Sequence, residues 1–346
     1  MTDRDLHPVP AVRELTHLFA GDLPRLHTLS YTPPPGVATC GTMLIRTPYD
    51  CTHLAGMATS LARHGFTVIT QDVRGRYRSA GRWEPYRHEG HDGVRTLELL
   101  ANHHLLSGPL FLLGSSYGAH AALETAGLLA DHPRLAPAGV IAMVPALGLW
   151  DTAHDPDGTP RIFDRIGWWA QHGAGAVSSA PLDAATLNAL TRRAEAHGPL
   201  ALLDDPLFAD NPQLAQGWRR LWEAPRPDPR TRWAHHRTPL LAVGGETDFF
   251  AADTRALVAD WPVAASTIWG PWGHGLGTEL PGDHPVRLAL RRAGGLLTPL
   301  TTWCRSVASG GCHPIDWKLN TALARWDATP GPSARHPRLT PRKESA

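Results

Sequence analysis

Cysteine is scarce in this chain of 346 residues: there are four, Cys40, Cys51, Cys304 and Cys312, and none shows C-x-x-C spacing. That argues against a disulfide framework or a zinc site, and reduced thiols are expected. Surplus charge is missing as well. Basic side chains number 33 and acidic ones 32, a formal net charge of +1, so nothing electrostatic favours nucleic acid or an anionic membrane as a partner. No apolar run is long enough to span a bilayer. The opening MTDRDLHPVPAVREL is polar and broken by proline, unlike a secretory leader. The cytoplasm is the expected location. No internal repeat is visible.

What is present is a globular composition, 42% hydrophobic and 19% charged, long enough for one large α/β domain with an insertion. After the loop TPPP (Thr32 to Pro35), short apolar runs alternate with helical patterns. Strands are predicted at TMLIR, FTVIT, PLFLLG and AGVIAMVP, with helices at 54–65, 89–104 and 117–130 between them. Continuous apolar strands separated by amphipathic helices imply a mostly parallel sheet covered on both faces.

The alternation stops between residues 149 and 236. Only helix-like pieces such as RIFDRIGWWAQHG and QLAQGWRRLWEA occur there, rich in tryptophan. Strand patterning resumes at PLLAVGG (Pro239 to Gly245) and ASTIWG (Ala265 to Gly270). The expected organisation is an N-terminal arm (1–35), a core (36–148 and 237–325), a helical lid (149–236) and a disordered tail (326–346). A lid over the carboxyl ends of the strands would cover the edge where open α/β sheets bind ligands.

Within LFLLGSSYGAHAALETA, Gly114-Ser115-Ser116-Tyr117-Gly118 fits G-x-S-x-G in one register, which centres it on Ser116. A strand before and a helix after are the context a nucleophile elbow requires; a serine N-cap at a tight turn is the plain alternative. A serine nucleophile needs a histidine base and a carboxylate to orient it, in the chain order Ser, Asp or Glu, His. Glu246-Thr247-Asp248 follows PLLAVGG, and His274 sits between glycines after ASTIWG. Asp248 is the chosen acid, with Glu246 as competitor and a helix N-cap as its structural alternative. The oxyanion would be met by the Tyr117 backbone N–H and by the Tyr49 hydroxyl, since Pro48 has no N–H to offer. Tyr49 could instead be an aromatic packed under the lid. Trp168, Trp169 and Trp272 are the candidate substrate contacts.

The stretches LIRTPYD, HGFTVITQDVRGRYRSAGRWEPYRHEGHDGVRTLELL, GSSYG, GGETDFF and GPWGHG together resemble the bacterial cocaine esterase and X-prolyl dipeptidyl-peptidase family of α/β-hydrolases. The resemblance implies an α/β-hydrolase fold, a serine hydrolase of esters or amides, a triad of Ser116, Asp248 and His274, and an oxyanion tyrosine at Tyr49. It also makes Asp72, Arg74, Glu89 and Asp92 structural members of the QDVRGRY segment, expected in buried ion pairs. In family members a C-terminal β jelly-roll follows; here the residues after His274 read as helices and a polar tail.

The implied partner is a small-molecule or peptide-like acyl substrate, with no metal and no cofactor. The alternatives are an acyltransferase or cyclase using the same triad, and a non-catalytic binding module. An aminopeptidase would further need a carboxylate for the substrate's amino group, for which the lid offers Asp164, Asp204 and Asp205. The sequence leaves the oligomeric state open.

Overall fold

In the computed structural model, residues 9–19, 24–311 and 313–331 are described. Among these described residues ten strands form one sheet: β1 (Ala11–Glu14), β2 (Thr28–Thr32), β3 (Gly41–Thr47), β4 (Phe66–Asp72), β5 (Leu110–Ser115), β6 (Gly139–Met143), β7 (Leu240–Gly245), β8 (Ala265–Gly270), β9 (Ile315–Asn320) and β10 (Arg325–Pro330). Their order is β1-β2-β4-β3-β5-β6-β7-β8-β9-β10. From β4 through β9 every pairing is parallel; β1 on β2, β2 on β4 and β10 on β9 are antiparallel. Strands β3, β4, β6 and β7 are buried at every position, as continuous apolar runs require when helices cover both faces.

Helices α1 (Ala55–Arg63), α2 (Glu89–Asn102) and α3 (Tyr117–Leu128) connect the first parallel strands. The chain runs from β3 to β4 on one side and then returns to place β5 on the other side of β3. That reversal opens a crevice at the carboxyl ends of β3 and β5, the usual ligand position in such sheets.

Between β6 and β7 lie α4 (Leu149–Ala153), α5 (Ile162–His172), α6 (Ala184–His197), α7 (Pro206–Ala209), α8 (Pro212–Trp222) and α9 (Pro229–Arg232). They enclose an apolar cluster of their own that includes Ile166, Trp169, Leu190, Phe208, Trp218 and Leu221. Each buried indole withdraws roughly 200 Å² from water, about 5 kcal/mol before entropy is charged against it. The insertion is also tied to the core by polar links. Arg76 is fully buried and donates to Pro48 O, Gly175 O and Ser178 Oγ, and Arg161 pairs with Asp253 at 2.5 Å. After β7 come α10 (Ala251–Asp260), α11 (Pro285–Arg292) and α12 (Leu297–Ala308).

Two boundaries differ from the sequence reading. Part of the expected N-terminal arm is sheet: β2 pairs with β4 and buries Tyr31. The expected tail begins as β10, which closes a hairpin with β9. Ile315, Trp317 and Leu319 alternate with polar residues in β9, and Trp317 and Leu319 are buried. Residues 1–8, 20–23, 332–346 and Cys312 lie outside the described residues, while Cys40, Cys51 and Cys304 are free thiols. Among the described residues no helix is long and apolar enough to cross a membrane.

Candidate active site

The turn between β5 and α3 is tight because nothing else fits. A Cβ on Gly114 would lie 1.9 Å from the Gly118 carbonyl oxygen, and both atoms are fixed in the turn. Ser116 takes φ 53° and ψ −121°, a strained conformation that non-glycine residues adopt where surrounding structure enforces it. Here its N–H donates to Met143 O, and its carbonyl accepts from Ala119 and Ala146. The Ser116 side chain makes no cap bond to the helix, so the N-cap reading of this serine does not describe it. Its hydroxyl faces the crevice instead.

His274, on the loop after β8, places Nε2 2.9 Å from Ser116 Oγ and Nδ1 2.8 Å from Asp248 Oδ1. The Asp248 side chain is wholly buried, whereas the imidazole keeps 29% exposure. Glu246, two residues earlier, points elsewhere and pairs with Lys318 Nζ at 2.9 Å. Asp248 also does not cap α10, whose N-cap is Phe250. Phe249 stacks on the imidazole with centroids 4.3 Å apart, and Phe250 meets it edge-on at 5.6 Å.

Tyr117 is the first residue of α3, where backbone N–H groups have no intrahelical acceptor. Its side chain is buried, donates its hydroxyl to Glu89 and accepts the Tyr86 N–H. Tyr49 reaches the same space from the loop after β3. The Trp168 indole donates to the Tyr49 oxygen at 2.9 Å. Burial pushes the Tyr49 phenol up, opposed by hydrogen bonds with Trp168 and Ser116. The phenol therefore stays protonated near neutrality. With its oxygen accepting from Trp168, the phenol keeps its own O–H to donate. Tyr49 is also packed beneath the insertion, edge-on to His172 at 5.1 Å, so the two readings of this residue are compatible.

Ser116, His274, Tyr49, Phe249 and Phe250 border a cavity of about 420 Å³ with Leu54, Met57 and Tyr86 on its walls. From α5 it is lined by Arg165, Trp168 and His172, which recur at i, i+3 and i+7 and so share one helical face. Burial, with Arg76 nearby, pushes His172 down to about 4. That spacing was present in the sequence, and Arg165, His172 and Tyr86 could have been proposed from it or from the loops beside it.

Of the three tryptophans expected to touch substrate, only Trp168 lines the cavity. Trp169 is rotated about 100° around the helix, lies 1% exposed and packs on Trp218 inside the insertion. Trp272 is fully buried under the sheet: its indole fills the space left by Gly245 and Gly270 and donates to Gly244 O. Asp164, Asp204 and Asp205 do not line the cavity either, and Asp205 caps α7.

The expected ion pairs in the QDVRGRY segment form only in part. Asp92 pairs with Arg74 and lies 3.7 Å from Arg46. Glu89 accepts from the Tyr117 hydroxyl and the His88 N–H. Asp72 accepts from the backbone of Cys51 and Arg78, so both of these carboxylates satisfy neutral donors instead of a guanidinium.

The sheet topology, the elbow and the helical cap define an α/β-hydrolase fold. Residues 22–276 match the family model described as X-Pro dipeptidyl-peptidase (S15 family), and the chain belongs to that family. A cocaine esterase of Rhodococcus sp. (strain MB1 Bresler) is 27% identical over 281 residues, covering 71% of this chain and 46% of the relative. The chain thus spans about half the length of the curated relative it matches. An aminopeptidase from a marine sediment Thaumarchaeota archaeon superposes with a TM-score of 0.59 at 18% identity, over 94% of this chain and 60% of that one. An alpha-amino acid ester hydrolase superposes with a TM-score of 0.60 at 17% identity, over 94% and 59%.

Proposed function

We propose that the chain is a serine hydrolase that cleaves an ester or amide through an acyl-enzyme. The observation that carries this reading is the unbroken relay from Asp248 Oδ1 to His274 Nδ1 at 2.8 Å and from His274 Nε2 to Ser116 Oγ at 2.9 Å. Ser116 Oγ attacks the substrate carbonyl as His274 Nε2 takes its proton. The buried Asp248 carboxylate holds the ring by its Nδ1–H and stabilises the imidazolium that forms. The oxyanion of the tetrahedral intermediate accepts from the Tyr117 N–H and the Tyr49 hydroxyl. Its collapse expels the leaving group, which carries away the proton from His274. Water, activated by the same imidazole, then attacks the acyl-enzyme and frees the acid and Ser116.

Membership of the S15 family and the likeness to a cocaine esterase support this chemistry. A small acyl substrate fits the cavity volume. The test is labelling with a fluorophosphonate probe alongside turnover of p-nitrophenyl esters and aminoacyl-p-nitroanilides. Wild type should be labelled at Ser116 and should turn over members of one set; Ser116→Ala should do neither. Full turnover by Ser116→Ala on every substrate that wild type cleaves would refute the assignment.

A further inference from the structure

The cavity wall contains a cation that the proposed chemistry does not use. Arg165 on α5 is 4% exposed and lines the same cavity as Ser116 and His274. Its Nε is buried without a hydrogen-bond partner, and among the described residues its guanidinium has no ion pair. The group lies over the Phe250 ring at 5.7 Å, a contact that does not draw on its N–H groups. One turn earlier, Arg161 is treated quite differently. It donates to Asp253, Asp155 and the Asp151 carbonyl. The insertion thus pairs one buried arginine fully and leaves the next, which faces the cavity, without a direct ion pair among the described residues, its neighbour Asp164 acting only through space.

The other charged groups around the cavity do not compensate. Arg46 is bonded to Gln71 and to the Glu89 carbonyl, with Asp92 at 3.7 Å. Asp50, the lining carboxylate, accepts from the Thr52 N–H and hydroxyl. The groups nearest Arg165 in electrostatic terms are the Tyr86 and Tyr49 phenols and its neighbours Asp164 and Arg161. Burial favours loss of the Arg165 proton, yet an arginine keeps its charge in proteins. A buried, unpaired guanidinium is costly to maintain, and its planar fork matches a carboxylate.

We infer that Arg165 is a specificity-determining residue that binds a second, unreacted carboxylate on the substrate, so that the preferred substrate is an ester or amide bearing an acidic group. This rests on the hydrolase reading of Ser116, Asp248 and His274. A substrate with a protonated amino group would instead meet an unshielded cation.

The test compares p-nitrophenyl hemiglutarate with the neutral p-nitrophenyl pentanoate in wild type, Arg165→Gln and Arg165→Lys. Wild type should prefer the anionic ester by about tenfold or more in kcat/KM. Arg165→Gln should bring the ratio near one, mainly through KM, and Arg165→Lys should recover part of it. In wild type alone, glutarate should slow fluorophosphonate labelling, whatever the folding of the variants. Equal use of the two esters, a preference for an aminoacyl substrate, or a ratio unmoved by Arg165→Gln would overturn the assignment. If Ser116 is not labelled and no ester is cleaved, the hydrolase reading has failed on its own. Calorimetry then still decides the anion site: glutarate binding that Arg165→Gln abolishes supports it, and no binding by wild type rejects it.

Discussion

Trp168 on α5 donates its indole N–H to the hydroxyl oxygen of Tyr49 on the loop after β3, 119 positions earlier in the chain. A residue of the helical insertion thereby occupies an acceptor site on a phenol carried by a loop of the core, and leaves that phenol its O–H to donate. The same indole stacks on Tyr117, with 5° between the rings, so one side chain touches both residues assigned to the oxyanion.

Tyr49→Phe should lower kcat on a p-nitrophenyl ester by about 10²-fold with little change in KM, the usual cost of losing one oxyanion donor. Trp168→Phe leaves the phenol in place but frees its rotor, and should cost about 3- to 10-fold, in line with one neutral hydrogen bond. Because both changes act on the same O–H, the double variant should be no worse than Tyr49→Phe. Additive losses in steady-state kinetics would show that Trp168 works by another route.

The two acids of the loop after β7 can be separated. Asp248→Asn should reduce kcat by roughly 10⁴-fold through loss of the correct imidazole tautomer. Glu246→Gln breaks only an exposed pair with Lys318 and should leave turnover and thermal stability nearly unchanged. Comparable losses in both variants would argue against the assignment of Asp248.

Two glycines give opposite expectations from the same substitution. Gly114→Ala forces a Cβ to within 1.9 Å of a backbone oxygen in the Ser116 turn, and should destabilise the protein by about 3 kcal/mol or more, or prevent folding. Gly56 lies in the first turn of α1 with open space around it. Gly56→Ala should stabilise the protein by about 0.5–1 kcal/mol. Denaturant titration reads both.

His236 provides a pH-dependent term. It lies 2% exposed against Trp233 and Trp261, and burial, with His235 and Arg237 adding repulsion, pushes it down to about 3. An unfolded chain binds that proton near pH 6.5, so acid favours unfolding. The contribution is complete above about pH 6.5 and should be lost at roughly 1.4 kcal/mol per pH unit toward pH 3. Its Nδ1 has no partner to forfeit, so His236→Phe should flatten the fall of Tm across that window. An acid limb unchanged in slope would mean that other groups carry it.

Most of the sheet and the residues of the relay were legible because their signals are local. Apolar runs marked β3 through β8, and Ser116, Asp248 and His274 each sit in the turn directly after one of those strands, next to glycines that tight turns require. Tertiary partners were harder to read. Trp168 and Trp169 are adjacent and chemically identical, and only the helical phase together with the cluster around Trp218 decides which faces the cavity. Trp272 follows the last motif strand, yet it turns inward because Gly245 and Gly270 leave a space the size of an indole. Strand β9 lay inside the expected core and carried a period-two alternation, but its charged and polar outer residues kept it from reading as a strand. Asp72 and Glu89 looked like ion-pair members, and nothing in the residue order hinted that a backbone amide and a phenol would reach them first.

The outermost strands of the sheet have a consequence for how copies of the molecule meet. Strand β1 is exposed along its whole length and carries Arg13 and Glu14, while β10 presents Arg325, Asp327 and finally Pro330. Charges of both signs and a residue without an N–H make poor templates for edge-to-edge annealing. Among the described residues, the all-apolar parallel strands of this fold are therefore bordered at both margins by strands poorly suited to pairing with another chain.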